Sequence, residues 1–244
     1  MATLLRLAYD GQGFHGAARQ PTGRTVVGEL TAALARLGES DARVDVASRT
    51  DAGVHAEGQV ASVEGLMRLD AERLVRGLRQ QLPPDLVVVA FAEAPLNAGA
   101  KTYVYRLDLS PWPDPWARHT HWAPPGGVDV DRLCAAWDAV VGTRDWSAFA
   151  RRGEARTDLV RTVHEARADV AGTRVALWVT GQGFPYRLVR SLVGGAVEVG
   201  RAIATPSAWQ AALAGQPGTV SAQQAPAHGL CLAHIDVAAA WRAP

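Results

Sequence analysis

The chain has 244 residues, 48% of them hydrophobic and 20% charged, enough apolar mass for a sizeable core. Its formal net charge of +1 excludes a protein that grips long nucleic acid by bulk charge, while leaving room for local basic patches. No run reaches the ~20 apolar residues of a membrane span, and the opening MATLLRLAYDG meets charge before a signal-peptide core develops, so a soluble, cytoplasmic protein with no membrane partner is expected.

In chain order, residues 4–9 (LLRLAY) read as a short strand that runs into the glycine-rich turn DGQGFHG. Val26, Val27, Leu30, Ala33, Leu34 and Leu37 recur at helical spacing, and Gly38 ends the helix. Val44 and Val46 mark a second strand, SRTDAGVHAEG interrupts it, and GQVASVE resumes as a third. Asp70 caps a helix through Leu74, Val75, Leu78 and Leu82 that Pro83 and Pro84 stop; LVVVAFA at 86–92 is a buried strand and 94–100 a linker. The second half opens on TYVYRLDL, a strand with Tyr103, Tyr105, Leu107 and Leu109 on one face, followed by a Pro/Trp-rich loop. A helix at 129–141, a hairpin turning at Ala171-Gly172, helices from Pro185 to about Gly200 and from Thr205 to Ala214, and a strand near GLCLAHIDV complete the order.

Both halves thus read β-α-β-β-α-β, with one extra helix in the second. This predicts an α+β fold of two ferredoxin- or RRM-like lobes, residues 1–94 and 95–244, with antiparallel sheets, helices on one face and an active-site cleft between the lobes. Cys134 and Cys231 lie far apart outside any CxxC, and the seven histidines show no HExxH spacing, so neither a disulfide nor a metal site is expected. Lys101 is the sole lysine; arginine supplies the rest of the positive charge and suits phosphate forks and base stacking.

The chemistry is expected where SRTDAGVHA, residues 48–56, breaks two strands and sets Asp51 on a tight loop at a sheet end. An Asp-Ala-Gly alone is commonly no more than an Asx turn. The whole string, however, resembles the active-site loop of the TruA-type tRNA pseudouridine synthases, in which RTDAGVH carries the catalytic aspartate. YDGQGFHG, LPPDLVV, KTYVYRL, GFPYRLVRSLVGGAVEVG and APAHGLCL resemble further family segments, in order along most of the chain.

The resemblance implies a cofactor-free isomerase that turns uridine into pseudouridine at positions 38, 39 and/or 40 of the tRNA anticodon stem-loop and works as a homodimer. Breaking an N-glycosidic bond and remaking it through carbon needs a flipped base and a carboxylate, with no redox group, nucleotide or metal. Asp51 is then the catalytic carboxylate, Arg190 of the Val-Arg pair the cation that keeps it charged, and Tyr103 the ring that closes over uracil. Arg49 grips a phosphate or helps flip the base; His55 lies at the pocket rim or bonds within its own loop. Phe184 and Leu188 form apolar pocket wall or simple core. Arg19, Arg24, Arg151, Arg152 and Arg156 are candidate RNA contacts.

The chain departs from the family where Trp-Gln is replaced by Ala17 and Ala18. It departs again where a Phe-His-Ala-Arg-Phe-Ser-Ala run gives way to AEAPLNAGA with Pro95 at the arginine, and where Cys231 replaces the closing tyrosine. Two other readings compete. One is a catalytically silent RNA-binding protein, since sheet-face tyrosines on this order also suit an RRM, although KTYVYRL lacks that motif's Gly and Phe-Val core. The other is a small-molecule enzyme using Asp51 as general base, with no salt-sensitive tRNA affinity.

Overall fold

Strand β1 (Thr3–Tyr9) puts Leu5 and Leu7 on one face, and these residues pair across to Ala61 and Gln59 of β3 (His55–Glu64). On its other side β1 pairs with β4 (Leu86–Glu93), and β2 (Arg43–Val46) lines the second edge of β3, so the antiparallel order is β4-β1-β3-β2. This computed structural model describes residues 2–149, 159–216, 218–220 and 223–244. Packing divides the chain into two units, Met1–Gly99 with Cys231–Pro244, and Ala100–Leu230.

Two helices cover the first sheet. Helix α1 (Val26–Arg36) is capped by Thr25, whose hydroxyl accepts from Gly28 N, and α2 (Ala71–Gln81) by Asp70, which accepts from Arg73 N. Leu30, Leu34, Leu74 and Leu78 are fully buried, each contributing about 1.5–3 kcal/mol of transfer free energy. The chain's last strand, β9 (Leu230–Val237), joins β3 in parallel, His55 opposite Cys231 and Ala56 opposite Leu232. It therefore shares an edge of β3 with β2, and residues 47–54 leave the sheet between them.

Glu39, 2% exposed, ties the turn before α2: its carboxylate accepts from the backbone N–H of Met67, Arg68 and Leu69 at 2.7, 2.7 and 2.8 Å. Burial alone would raise its pKa, but the three amides, with Arg68 nearby, hold it below the usual carboxylate value. A depressed folded pKa stabilises above the unfolded value of about 4.3 and is lost as pH falls through the folded one. Urea midpoints of the native chain are expected to fall below about pH 4 more steeply than those of Glu39→Gln. That variant should start about 1–3 kcal/mol less stable, because its amide NH2 faces donors; parallel acid limbs would refute the assignment.

In the second unit, β5 (Ala98–Asp108), β8 (Arg174–Gly181), β7 (Val160–Ala171) and β6 (Gly142–Asp145) form an antiparallel sheet in that order. Helix α3 (Val130–Asp138) packs on β7 and on α4 (Leu188–Gly200), and α5 (Pro206–Leu213) packs on α4. Every residue of α4 except Arg190 is buried, and Gly195 makes room for Trp209, whose ring a Cβ there would meet at 2.4 Å. The α+β class expected from the sequence is the one observed. Three details differ. Strand β6 (GTRD) has no apolar alternation and forms through pairing with β7, including a 2.8 Å Thr143–Thr162 hydroxyl contact. β5 starts within the expected linker, and α4 starts after Arg187, whose φ of 60° lies in the left-handed region. Among the described residues no helix is long and apolar enough to cross a membrane.

Candidate active site

The loop between β2 and β3 is held from below by a buried amide. Gln59, 0% exposed, donates through Nε2 to Ser48 O at 2.7 Å and to the Tyr9 hydroxyl at 3.3 Å, while its Oε1 accepts from Ser48 N at 3.2 Å. Tyr9 in turn meets the Thr50 hydroxyl at 2.8 Å, so one polar chain reaches from strand interior to the residue before Asp51. Asp51 is half-buried, and its carbonyl accepts from Val54 N at 3.2 Å, closing the turn over Ala52 and Gly53. Arg49 points into solvent on the same loop.

The DGQGFHG segment braces the loop from its other side. Ala17 N donates to Thr50 O at 3.1 Å, and Gly53 N to Phe14 O at 3.3 Å. The approach is close enough that side chains are excluded: a Cβ on Gly11 would lie 2.1 Å from Val54 O, and one on Gly16 2.8 Å from Thr50 O. His55 is buried, and its Nδ1 accepts from Gly11 N at 3.1 Å. The same nitrogen lies 3.2 Å from Asp10 Oδ1. It cannot donate there while accepting from an amide, and since an amide N–H only donates, the lone pair sits on Nδ1. The ring, for which a pocket-rim position or a bond within its own loop is expected, is buried and fastens β3 to the opening segment through Gly11 N.

Arg24, expected on RNA, is committed elsewhere. Its Nε binds Glu29 at 2.6 Å, and its two terminal nitrogens bind Asp85 at 2.6 and 2.8 Å. Asp85 consequently ionises more readily than an ordinary aspartate, held down first by the Arg24 hydrogen bonds. The guanidinium also stacks 4.2 Å over Phe14, whose ring meets Tyr9 edge-on. Arg24 therefore anchors the segment that braces the Asp51 loop to the start of β4. Arg19 is exposed on that segment, and Arg151, Arg152 and Arg156 fall outside the described residues.

In the second unit, Tyr103 is buried and meets Phe184 edge-on, ring centroids 5.5 Å apart at 87°. Leu188 is buried at the first turn of α4, and Arg190, two residues on, is half-buried with Nε donating to Ala225 O at 2.7 Å. Ala225 N returns a bond to Arg190 O at 3.0 Å, so residue 225 and the helix hold one another. Tyr105, the neighbouring face residue, is a fully buried core ring whose hydroxyl donates to Pro226 O at 2.8 Å; burial pushes its pKa up, and the charge of Arg190 opposes the shift. The structure thus brings Tyr103 to Phe184, and Asp51 and Arg49 onto one braced loop. Among the described residues no cluster of three metal-ligating side chains occurs.

The sequence reading missed Tyr9, Thr50, Gln59 and Asp85. The available signal for Gln59 was one long polar side chain inside the otherwise small and apolar run GQVASV.

Comparison with known proteins agrees with the motif reading. Residues 136–236 match the family model described as tRNA pseudouridine synthase. The chain is 36% identical to "tRNA pseudouridine synthase A" of Shouchella clausii, covering 95% of this chain and 91% of that one. It is 32% identical to the protein of the same name from an Exiguobacterium species, over 95% and 96% of the two chains. The Cutibacterium acnes protein of that name is 41% identical over 78% of this chain and 72% of its own.

Proposed function

The chain belongs to the tRNA pseudouridine synthase A family, isomerases that convert uridine to pseudouridine in tRNA, and on that premise we propose that Asp51 is its catalytic carboxylate. The observation that carries the assignment is the doubly braced loop. One polar chain, Gln59–Tyr9–Thr50, and one glycine-lined segment fix the backbone on both sides of a half-buried aspartate. A carboxylate held in this way is preorganised for the reaction, in which the N1–C1′ bond breaks, C5–C1′ forms, and the proton lost from C5 is balanced by one gained at N1. No oxidant or reductant enters that balance.

Arg190 is the proposed cation for this carboxylate, supported by the Val189-Arg190 pair that matches the family pattern. Tyr103, with Phe184 edge-on to it and Leu188 at the start of α4, is the proposed ring against the flipped base. Arg49 and Arg19, both exposed, are proposed phosphate contacts. The proposed targets are the uridines at 38, 39 and 40 of the anticodon stem-loop, the proposed assembly a homodimer, and the proposed compartment the cytoplasm.

The test is incubation of the purified protein with unmodified tRNA and chemical mapping of pseudouridine along the anticodon arm, with Asp51→Ala alongside. Modification by the native protein alone supports the assignment; equal modification by the variant overturns it. Arg190→Ala is expected to lower turnover by about 10²-fold or more with little change in tRNA Kd. Equal losses in both would move Arg190 to the RNA-contact surface.

A further inference from the structure

The Pro/Trp-rich loop between β5 and α3 has no part in the site described above. It carries Trp112 and Trp116, 90% and 89% exposed, more than any other large apolar side chain described. An indole left in water forgoes a large transfer free energy, so two of them on one loop need a reason.

The loop holds its shape through carboxylates. Asp108 accepts from Ser110 N at 3.1 Å and Asp114 N at 3.0 Å, and Asp114 accepts from Trp116 N at 2.9 Å and from Arg174 at 2.6 Å. Ala117 O takes Thr120 N and His121 N, and Trp122 returns the chain to β5 through bonds with Arg106 O and Asp108 N, both 3.0 Å. The two tryptophans are therefore presented on fixed backbone, which lowers the entropic cost of binding to them.

Charge points to the occupant. Both aspartates of the loop are occupied by backbone amides and Arg174, whereas Arg118 is exposed, tethered through Nη1 to Pro115 O at 2.7 Å. Beneath the loop, burial first and then the charges of Arg174 and Arg106 lower the pKa of His121, against the opposing charge of Asp108. An apolar protein partner prefers a contiguous apolar patch. Here prolines and Asp114 separate the rings and arginine borders them, the arrangement that stacks unpaired bases and meets their phosphates.

We propose that residues 110–119 dock single-stranded nucleotides of the tRNA substrate, with bases stacking on Trp112 and Trp116 and Arg118 on an adjoining phosphate. The proposal rests on the tRNA reading above. It is tested on the full chain by measuring the Kd for unmodified tRNA at several salt concentrations. Pseudouridine formation and sedimentation are followed on the same preparations.

Trp112→Ala and Trp116→Ala are each expected to weaken binding about five- to 100-fold with the salt slope unchanged. The paired Trp→Phe variant should keep most of the affinity. Arg118→Ala should reduce the salt slope by about one. If the double Trp→Ala variant binds tRNA as the native protein does, while the native protein modifies it, the docking site is refuted and the tRNA reading stands. Native protein that neither binds nor modifies tRNA sinks the reading beneath. Loss of subunit association with unchanged tRNA affinity assigns the tryptophans to a protein contact and refutes the proposal.

Discussion

Asp51→Asn is expected to remove pseudouridine formation by about 10³-fold or more, roughly 4 kcal/mol of transition-state stabilisation, while the protein melts as the native one does. The substitution keeps the side chain's shape and removes only its charge and nucleophilicity. The loop backbone has supports of its own. It rests on backbone bonds from Val54 N to Asp51 O and from Ala17 N to Thr50 O, and on the Tyr9–Thr50 hydroxyl pair. Single-turnover rates on unmodified tRNA, with Kd and thermal melts measured on the same protein, separate chemistry from folding and binding. A variant retaining more than a tenth of the native rate would remove Asp51 from the reaction. Arg49→Ala, altering an exposed residue two positions away, is the contrast: its loss should appear mainly in Kd.

The second large effect is structural and reaches the chemistry indirectly. Gln59→Leu keeps the volume and leaves Ser48 N–H, Ser48 C=O and the Tyr9 hydroxyl without their amide partner, in a place where Ser48 is 5% exposed. At about 0.5–1.5 kcal/mol for each of these three hydrogen bonds removed, a loss of about 3 kcal/mol is expected, on the order of a 10 °C fall in Tm. Activity at a temperature where the variant is folded should also drop about 10²-fold, because a shift of about 1 Å in the Asp51 loop suffices for that. Gln59→Glu distinguishes positioning from bulk stability. When protonated, the introduced carboxyl can donate to Ser48 O as the amide does. Burial raises its pKa, so its deficit relative to the native protein should shrink as pH falls. If Gln59→Leu loses stability but keeps the native rate when folded, the amide merely supports the core.

The local features were legible because each needs only a few neighbouring residues. Asp70 announces the helix whose first turn it caps, helical spacing announces α1 and α3, and alternation announces β5. SRTDAGVHA marked the Asp51 loop, because a strand pattern broken by a turn is visible in nine consecutive residues.

What only the tertiary structure decided are the partners. Sequence marks 230–237 as a strand, but its edge, beside His55 and Ala56, lies nearly 180 residues away in the chain. Arg24 reads as a surface cation until Asp85, 61 positions on, takes its fork. Strand β6 exists only because β7 offers it hydrogen bonds. Gln59 carries its meaning through Tyr9, 50 residues back. Propensity, capping and alternation act over a few residues. Hydrogen-bond and charge satisfaction are set by whichever groups the folded chain brings within about 3 Å, and no short stretch of sequence contains that distance.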